Sequence, residues 1–589
     1  MSGEWKTILG IGGIIAVMIL AYAVYIIYNN RKTRRRRLRM IREDWGAWPA
    51  RQYDYLDWNA VEGYYGNKET KRFQIDDITW NDLDMDRIFM LLNHTGSFMG
   101  EGYLYYLLRT PSFYGEELAE RERLIQYFTE HPKEREQLQM FFYQTGKAGR
   151  SSIFDAVYNL ADVNPVSNLH HYFMAGIFLA SICTVFLSPQ IGILLVIGAM
   201  CLTMWDYYRK KRPVEQYIIS CRFLLRTLKT AEEMGKIKLP EISAYQEKIR
   251  EAGKVFGKLK RNTFFLINGS RTDGDLLVGL IMYLNNCFHI DLIQFSTIVK
   301  EMKLHIKEFE TLIEEMGKIE SAIAIASFRQ CMQDFCVPAL DFDGAARPAL
   351  EAENLYHPLI QEPVKNSIKA GRGVLLTGSN ASGKSTFLKT VAVNAVLAQT
   401  VHTCMADQWT GSSFRVFSSM ALQDNLEGQE SYYIVEIKSL KRILDQIASS
   451  DSDEITGTDR PDKAEEGFAG KKPPVLCFVD EVLRGTNTVE RIAASSQILK
   501  YMTGKQVLCF AATHDIELTH ILEDYYENYH FQEEVLDGDI RFDYKLYSGR
   551  ATSRNAIKLL QIMGYDEKVI ARAETAAEQF LKDGEWAKE

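Results

Sequence analysis

Cysteine gives this chain no framework. Cys183, Cys201, Cys221, Cys287, Cys331, Cys336, Cys404, Cys477 and Cys509 are odd in number, scattered, and form no C-x-x-C pair. That argues against a disulfide scaffold or a zinc site and for reduced core residues. The 11 histidines are equally dispersed and suggest no metal cluster. Proline is scarce, at 14 of 589 residues, and no internal repeat is visible. With 46% hydrophobic and 25% charged residues the chain is neither disordered nor collagen-like, because those classes lack the apolar surface that folding buries. Its length allows roughly three to five domains.

Positive charge is also in short supply, and it is unevenly spread. Positions 31–42 hold eight basic residues and no acid, and 209–212 (RKKR) hold four more; taking those twelve cations out of a formal net charge of −8 leaves −20 for the rest. So acidic a remainder argues against a broad nucleic-acid-coating surface and leaves room for a local basic patch.

Long uncharged runs explain the two basic clusters. Thr7 to Asn30 is an uncharged, mostly apolar stretch of 24 residues, followed at once by the arginines. At 1.5 Å per residue about 20 helical residues span the ~30 Å hydrocarbon layer. A cleaved signal would carry its charge before the run, so an uncleaved anchor is expected, with the N-terminus outside and Arg31 onward in the cytoplasm. A second uncharged stretch, 163–205, breaks at Ser188-Pro189-Gln190 into the apolar halves 172–187 and 191–205. It reads as a membrane hairpin, with a re-entrant hairpin or a buried helical pair as the alternative.

The segment from Pro213 to about 335 is nearly free of proline and rich in Glu, Lys, Leu and Ile; within it, 291–329 keeps apolar residues three or four apart over about ten turns. A long helical rod is expected there. After Pro348 the pattern changes to short apolar runs followed by helices, which implies a mostly parallel sheet covered on both faces. The tract 449–472, with seven acids and four bases, reads as a surface insertion.

Three motifs carry chemistry. Gly378-Ser379-Asn380-Ala381-Ser382-Gly383-Lys384-Ser385, continued by Thr386, fits G-x-x-x-x-G-K-[ST] between an apolar strand and a helix. Backbone N–H groups of such a loop wrap phosphate oxygens, Lys384 reaches the β and γ phosphates, and Ser385 ligates Mg²⁺. The strand 474–479 ends in Asp480, suited to the Mg²⁺ shell, and Glu481, suited to orienting or deprotonating the attacking water. The strand 507–512 ends in Thr513-His514-Asp515, where His514 can sense the γ-phosphate. ATP and Mg²⁺ are therefore the expected cofactors.

In this order TGSNASGKST, DNLEGQES, FVDEVLRGTNT and AATHDIELT resemble the ATPase domain of the MutS DNA mismatch-repair family, over about 350–575. Upstream, Leu92 to Gly100 is similar to the start of that family's helical core, and Met316 to Ser321 to the end of its lever helices. The resemblance implies an α/β P-loop NTPase domain C-terminal to an all-α lever domain, to which the anchor and hairpin are additions. Together with the hydropathy it divides the chain into an anchor (1–30), a basic juxtamembrane segment and linker (31–79), a helical core (80–168), the hairpin (169–208), a lever region (209–345), the ATPase domain (346–550, with the 449–472 insertion) and a C-terminal helical dimerisation element (551–589).

The resemblance also implies a homodimer in which Ser431 reaches the partner's nucleotide, although the family's following threonine is Tyr432 here. The family's mismatch-wedge and connector domains have no counterpart. Mismatched or branched DNA is the implied ligand; a membrane-bound conformational switch acting on a protein or lipid partner is the alternative, and half of an ATP-driven transporter is a weaker third. Lys248, Arg250, Lys254, Lys258, Lys260 and Arg261 could meet DNA phosphates or anionic lipid, or form a solvated helix face.

Overall fold

The computed structural model describes residues 3–49, 52–149, 152–161, 167–260, 276–342, 347–379, 382–420, 432–451, 472–484, 486–504, 506–536, 539–551, 557, 560–561 and 564–583. They form two compact units, each drawn from separated stretches of chain. One comprises Met1–Lys68, Leu92–Tyr106 and Arg123–Cys331; the other comprises Glu69–Leu91, Leu107–Glu122 and Met332–Glu589.

The first unit is helical. Helix α1 (Gly3–Asp44) runs unbroken for 42 residues through both the apolar stretch and the arginines, about 63 Å at the standard rise. Val17 and Leu20 on its apolar part are two-thirds exposed, whereas Ile41 near its end is buried. α2 (Tyr55–Asn67) begins with a capping box, the Asp54 carboxylate accepting from the Asp57 N–H and the reverse. α3 (Phe98–Arg109) and α4 (Pro132–Thr145) follow. Arg42 of α1 makes a two-pronged pair with Glu136 of α4, both contacts 2.8 Å.

Two consecutive helices, α5 (Asn168–Leu187) and α6 (Pro189–Lys211), pack as a pair, Pro189 taking the first helical position where no N–H is needed. Gly192 permits the close approach of its two arms: a Cβ there would lie 2.4 Å from the Val185 Cα. One face packs Phe178 and Ala199 against Cys287. The other presents bare hydrocarbon, with Phe186 and Leu187 almost fully exposed at 87% and 86%. Both helices are long and apolar enough to cross a membrane.

Beyond α7 (Glu215–Lys236), α8 (Ser243–Lys254) and α9 (Leu276–Phe288), the expected rod is two helices, α10 (Ile290–Leu304) and α11 (Ile306–Met332). The interruption is His305, whose N–H is shared by the Glu301 and Met302 carbonyls while its ring meets Phe256 edge-on. Periodicity cannot register such a break, because the apolar spacing continues across it.

The second unit is built on two sheets. Strands β1 (Ala339–Asp341), β2 (Leu350–Leu355), β3 (Asn366–Ala370) and β5 (Gln408–Ser412) pair in the order β1-β5-β2-β3, with β4 (Gly373–Thr377) left to the other sheet. That sheet adds β6 (Arg415–Ser419), β7 (Val475–Asp480), β8 (Val507–Ala512), β9 (Tyr526–Leu536) and β10 (Asp539–Ser548), ordered β10-β9-β4-β8-β7-β6. Every pairing in it is parallel except β9 with β10. The runs VLLT, VLCFVD and VLCFAA are buried at every position, as helix-covered parallel strands must be.

Helices α12 (Lys384–Thr400), α13 (Tyr432–Asp451), α14 (Thr488–Tyr501) and α15 (Glu567–Asp583) complete it. The early segment Glu69–Leu91 belongs here because Asp82 is buried against β6. Its carboxylate accepts from the Ser418 hydroxyl at 2.7 Å and from the Met420 N–H at 2.9 Å. Residues 452–471 of the charged tract, and 552–556 of the C-terminal element, lie outside the described residues.

Candidate functional site

The carboxyl ends of β4, β7 and β8 adjoin in the sheet, and the loops that leave them carry the sequence-predicted groups. Parallel pairing sets Asp480 opposite Ala512, and the Glu481 N–H donates to the Ala512 carbonyl at 3.0 Å, so the acidic pair and His514 meet by register alone. Gly378 and Gly383 bracket the loop after β4 at φ +146 and +108, values that side-chain-bearing residues rarely adopt. A Cβ on Gly378 would also strike the Phe531 carbonyl at 2.8 Å.

Lys384 opens α12, and its ammonium donates to the Gly378 and Ser379 carbonyls, each at 2.8 Å. Burial holds its pKa below the usual lysine value, against the pull of Asp480 and Glu481. The Ser385 hydroxyl donates to Asp480 at 2.5 Å, giving two hard oxygen donors side by side, the set Mg²⁺ prefers. The Ser382 hydroxyl is buried without a partner among the described residues, an unmet polar group on the inside of the loop. These features fit a metal-bound phosphate chain.

Glu481 stands at φ +60 with both carboxylate oxygens engaged. His514 Nε2 is 2.8 Å from one, and Arg484 Nε is 2.6 Å from the other. The His514 hydrogen bond, opposed by burial and helped by the Arg484 charge, holds its pKa below the usual glutamate value. It is therefore ionised at neutral pH. His514 itself is about one-third exposed.

The structure thus brings Gly378, Ser379, Ser382, Gly383, Lys384, Ser385, Asp480, Glu481 and His514 together, with Thr386 exposed in the first turn of α12. Asn380, Ala381 and Ser431 lie outside the described residues. Sequence reasoning missed Arg484, although it lies inside the FVDEVLRGTNT motif. It also missed Glu533, which accepts from the Ser379 hydroxyl at 2.7 Å.

A cavity of about 240 Å³ beside Gly383, lined by His357, Val364, Asn366, Phe387, Phe531 and Tyr544, was equally hidden. These residues come from separated parts of the chain. The antiparallel pairing of β10 with β9 brings Tyr544 to within 3.3 Å of where a Gly383 Cβ would be. Burial pushes the His357 imidazole down to about 4, so that ring is neutral.

A glycine loop between the first central strand and its helix, beside a strand ending in paired acids, defines the class as a mixed α/β domain following a helical region. Comparison with known proteins shows what this part of the chain is similar to. Residues 374–456 and 469–581 match MutS domain V. The chain is 25% identical over 292 residues to the DNA mismatch repair protein MutS of Natronomonas pharaonis, covering 48% of this chain and 31% of that one. It is 24% identical over 299 residues to MutS of Thermotoga maritima (49% and 34%), and 23% identical over 311 residues to DNA mismatch repair protein MutS 2 of Haloarcula marismortui (47% and 30%). Over these residues the chain is similar to the MutS family, and the matched part spans about a third of the length of these relatives.

Proposed function

We propose that this protein is a membrane-anchored, Mg²⁺-dependent ATPase that works as a homodimer and engages mismatched, branched or otherwise non-duplex DNA. The observation that carries the ATPase reading is Glu481, ionised and fixed between His514 and Arg484 beside the Ser385–Asp480 pair. In this reading the loop N–H groups from Gly378 to Thr386 and the Lys384 ammonium hold the phosphate chain. Ser385 and Asp480 hold Mg²⁺, which when bound neutralises phosphate charge. Glu481 orients or deprotonates the attacking water, His514 reports the γ-phosphate through its bond to Glu481, and Ser431 completes the partner's site. The cavity beside Gly383 takes the base against Phe387, Phe531 and Tyr544.

Glu481→Gln tests this reading. The variant is expected to bind ATP while turnover falls by roughly 10²–10⁴, the usual worth of a positioned base; Lys384→Ala is expected to lose binding. Turnover by Glu481→Gln equal to the parent's removes the glutamate from its role. The exposed hydrocarbon on α5, α6 and α1 supports anchoring, and in this reading the exposed basic residues of α1, Arg31 to Arg36 and Arg39, meet anionic lipid.

One observation favours the second reading, a membrane-bound switch that couples ATP to a protein or lipid partner without DNA. Of the basic residues at 248–261, Lys248 already pairs with Glu315 at 3.5 Å and Arg250 with Glu247 at 3.1 Å. A partly neutralised stretch is a weak phosphate reader. Binding of mismatched, branched and plain duplexes at two salt concentrations separates the readings: retention that weakens with salt supports DNA, and none in any case leaves the switch.

A further inference from the structure

The loop Glu481–Arg484 is held in an unfavourable shape. Glu481 and Leu483 both lie at φ +60, left-handed backbone that is uphill for a residue with a Cβ. Such a loop relaxes unless its surroundings over-determine it. Three contacts do so. The Glu481 N–H donates to the Ala512 carbonyl at 3.0 Å, and the Val482 carbonyl accepts from the Ser495 hydroxyl of α14 at 3.2 Å. The Leu483 N–H donates to the carboxylate of Glu436 on α13.

Glu436 is 2% exposed and Leu483 4%, so no water stands in if this last bond is lost. Burial raises the Glu436 pKa, while the N–H groups of Leu483 and Arg484 favour its charged form. A carboxylate in that place has no solvent to face; what it faces is the backbone of the loop. The same loop carries both the water-activating carboxylate and the Arg484 guanidinium that grips it.

We infer that Glu436 is a positioning residue for ATP hydrolysis, the acceptor that locks the left-handed turn at Leu483 and thereby aims Glu481. The inference rests on the ATPase reading above and adds to it a residue without contact to nucleotide. Glu436 lies one helical turn from the start of α13 at Tyr432, next in sequence to Ser431. A shift of that first turn is therefore transmitted to Glu481 through one hydrogen bond.

The test uses full-length protein in detergent with Mg·ATP. Glu436→Leu fills the space and removes the acceptor; its kcat is expected to fall about ten-fold or more, the loss of roughly one buried hydrogen bond's worth of positioning, with KM and affinity for a non-hydrolysable analogue unchanged. Glu436→Gln keeps an acceptor oxygen and is expected to stay within about three-fold of the parent. Parent-like turnover by Glu436→Leu overturns the inference. So does loss of nucleotide affinity in step with turnover, or a Glu436→Gln variant as impaired as Glu436→Leu.

Should Glu436→Leu fail to fold, Ser495→Ala removes the neighbouring restraint at the cost of a hydroxyl only. A lower kcat at constant KM supports the inference, and an unchanged kcat overturns it. Exchange of the Leu483 amide reads the contact without turnover. It is expected to be slow in the parent and Glu436→Gln and fast in Glu436→Leu; equal protection in all three sinks the inference, whereas a parent that never hydrolyses ATP sinks the reading beneath it.

Discussion

Glu320, in the middle of α11, offers a test of how burial and hydrogen bonding compete. Its carboxyl is 2% exposed and accepts from the Gly96 N–H at 2.7 Å, the Ser97 N–H at 2.9 Å and the Ser97 hydroxyl, at the start of α3. Burial pushes it from 4.5 up to about 7, against those bonds and the Lys147 charge. The folded value lies above the unfolded one, so the folded state binds the proton more tightly. The stability this contributes is whole below pH 4.5 and is lost as pH rises through 7. At 1.36 kcal/mol per pH unit the loss is about 3 kcal/mol.

Glutamine at 320 presents its oxygen to the two N–H groups and its amide to the Ser97 hydroxyl, and does not titrate. The unfolding free energy of the parent minus that of Glu320→Gln should therefore drop by about 3 kcal/mol between pH 4.5 and pH 8. Urea unfolding of both full-length proteins in one mild detergent measures it, since groups common to both cancel. A difference constant within about 0.5 kcal/mol refutes the reasoning. A difference that grows with pH reverses it, and means that the hydrogen bonds outweigh burial.

Three more substitutions probe the second unit. Gly383→Ala puts a Cβ at φ +108, 3.3 Å from the Tyr544 ring; nucleotide affinity should fall about ten-fold or more, since strained backbone costs roughly 1–3 kcal/mol, and an unchanged titration with fluorescent ADP would count against the loop's assigned role. Tyr544→Leu should weaken ATP by about two- to ten-fold, for the 0.5–1.5 kcal/mol of an aromatic contact, yet leave inorganic triphosphate alone; equal weakening of both excludes a base pocket. Asp82→Ala strands the Ser418 hydroxyl and the Met420 N–H in the interior, and should cost about 2–4 kcal/mol, read as a lowered thermal midpoint. A cost below about 1 kcal/mol means the segment re-pairs those groups.

What the sequence discloses follows from how local each feature is. Strands β4, β7 and β8 are legible as unbroken apolar runs, and Lys384, Asp480, Glu481 and His514 fall at their ends, where a parallel sheet collects them. Strands β9 and β10 give no such signal. Tyr526–Leu536 mixes aromatic and acidic residues, and Phe531 and Tyr544 reach the cavity only through a hairpin at the sheet edge. The break at His305 is invisible because neither proline nor glycine marks it. Glu436 reads as any helical glutamate until its helix is seen against the turn at Leu483. The attachment of Glu69–Leu91 to β6 rests on Asp82, Thr79 and Phe73, contacts across more than 300 residues that no periodicity encodes.

The continuity of α1 has a consequence for force. From Asn30 to Asp44 it contains no glycine or proline, and its far end is pinned by Ile41 and by the Arg42–Glu136 pair. Torque at one end is delivered to the other, as along a driveshaft without a universal joint. Arg31 faces Arg35, Lys32 faces Arg36 and Arg35 faces Arg39 one turn apart, a spacing at which like charges repel. The shaft is therefore stiffest where anions crowd around it and softens as they are diluted, so that the ions bathing this collar set how much of a twist survives the journey.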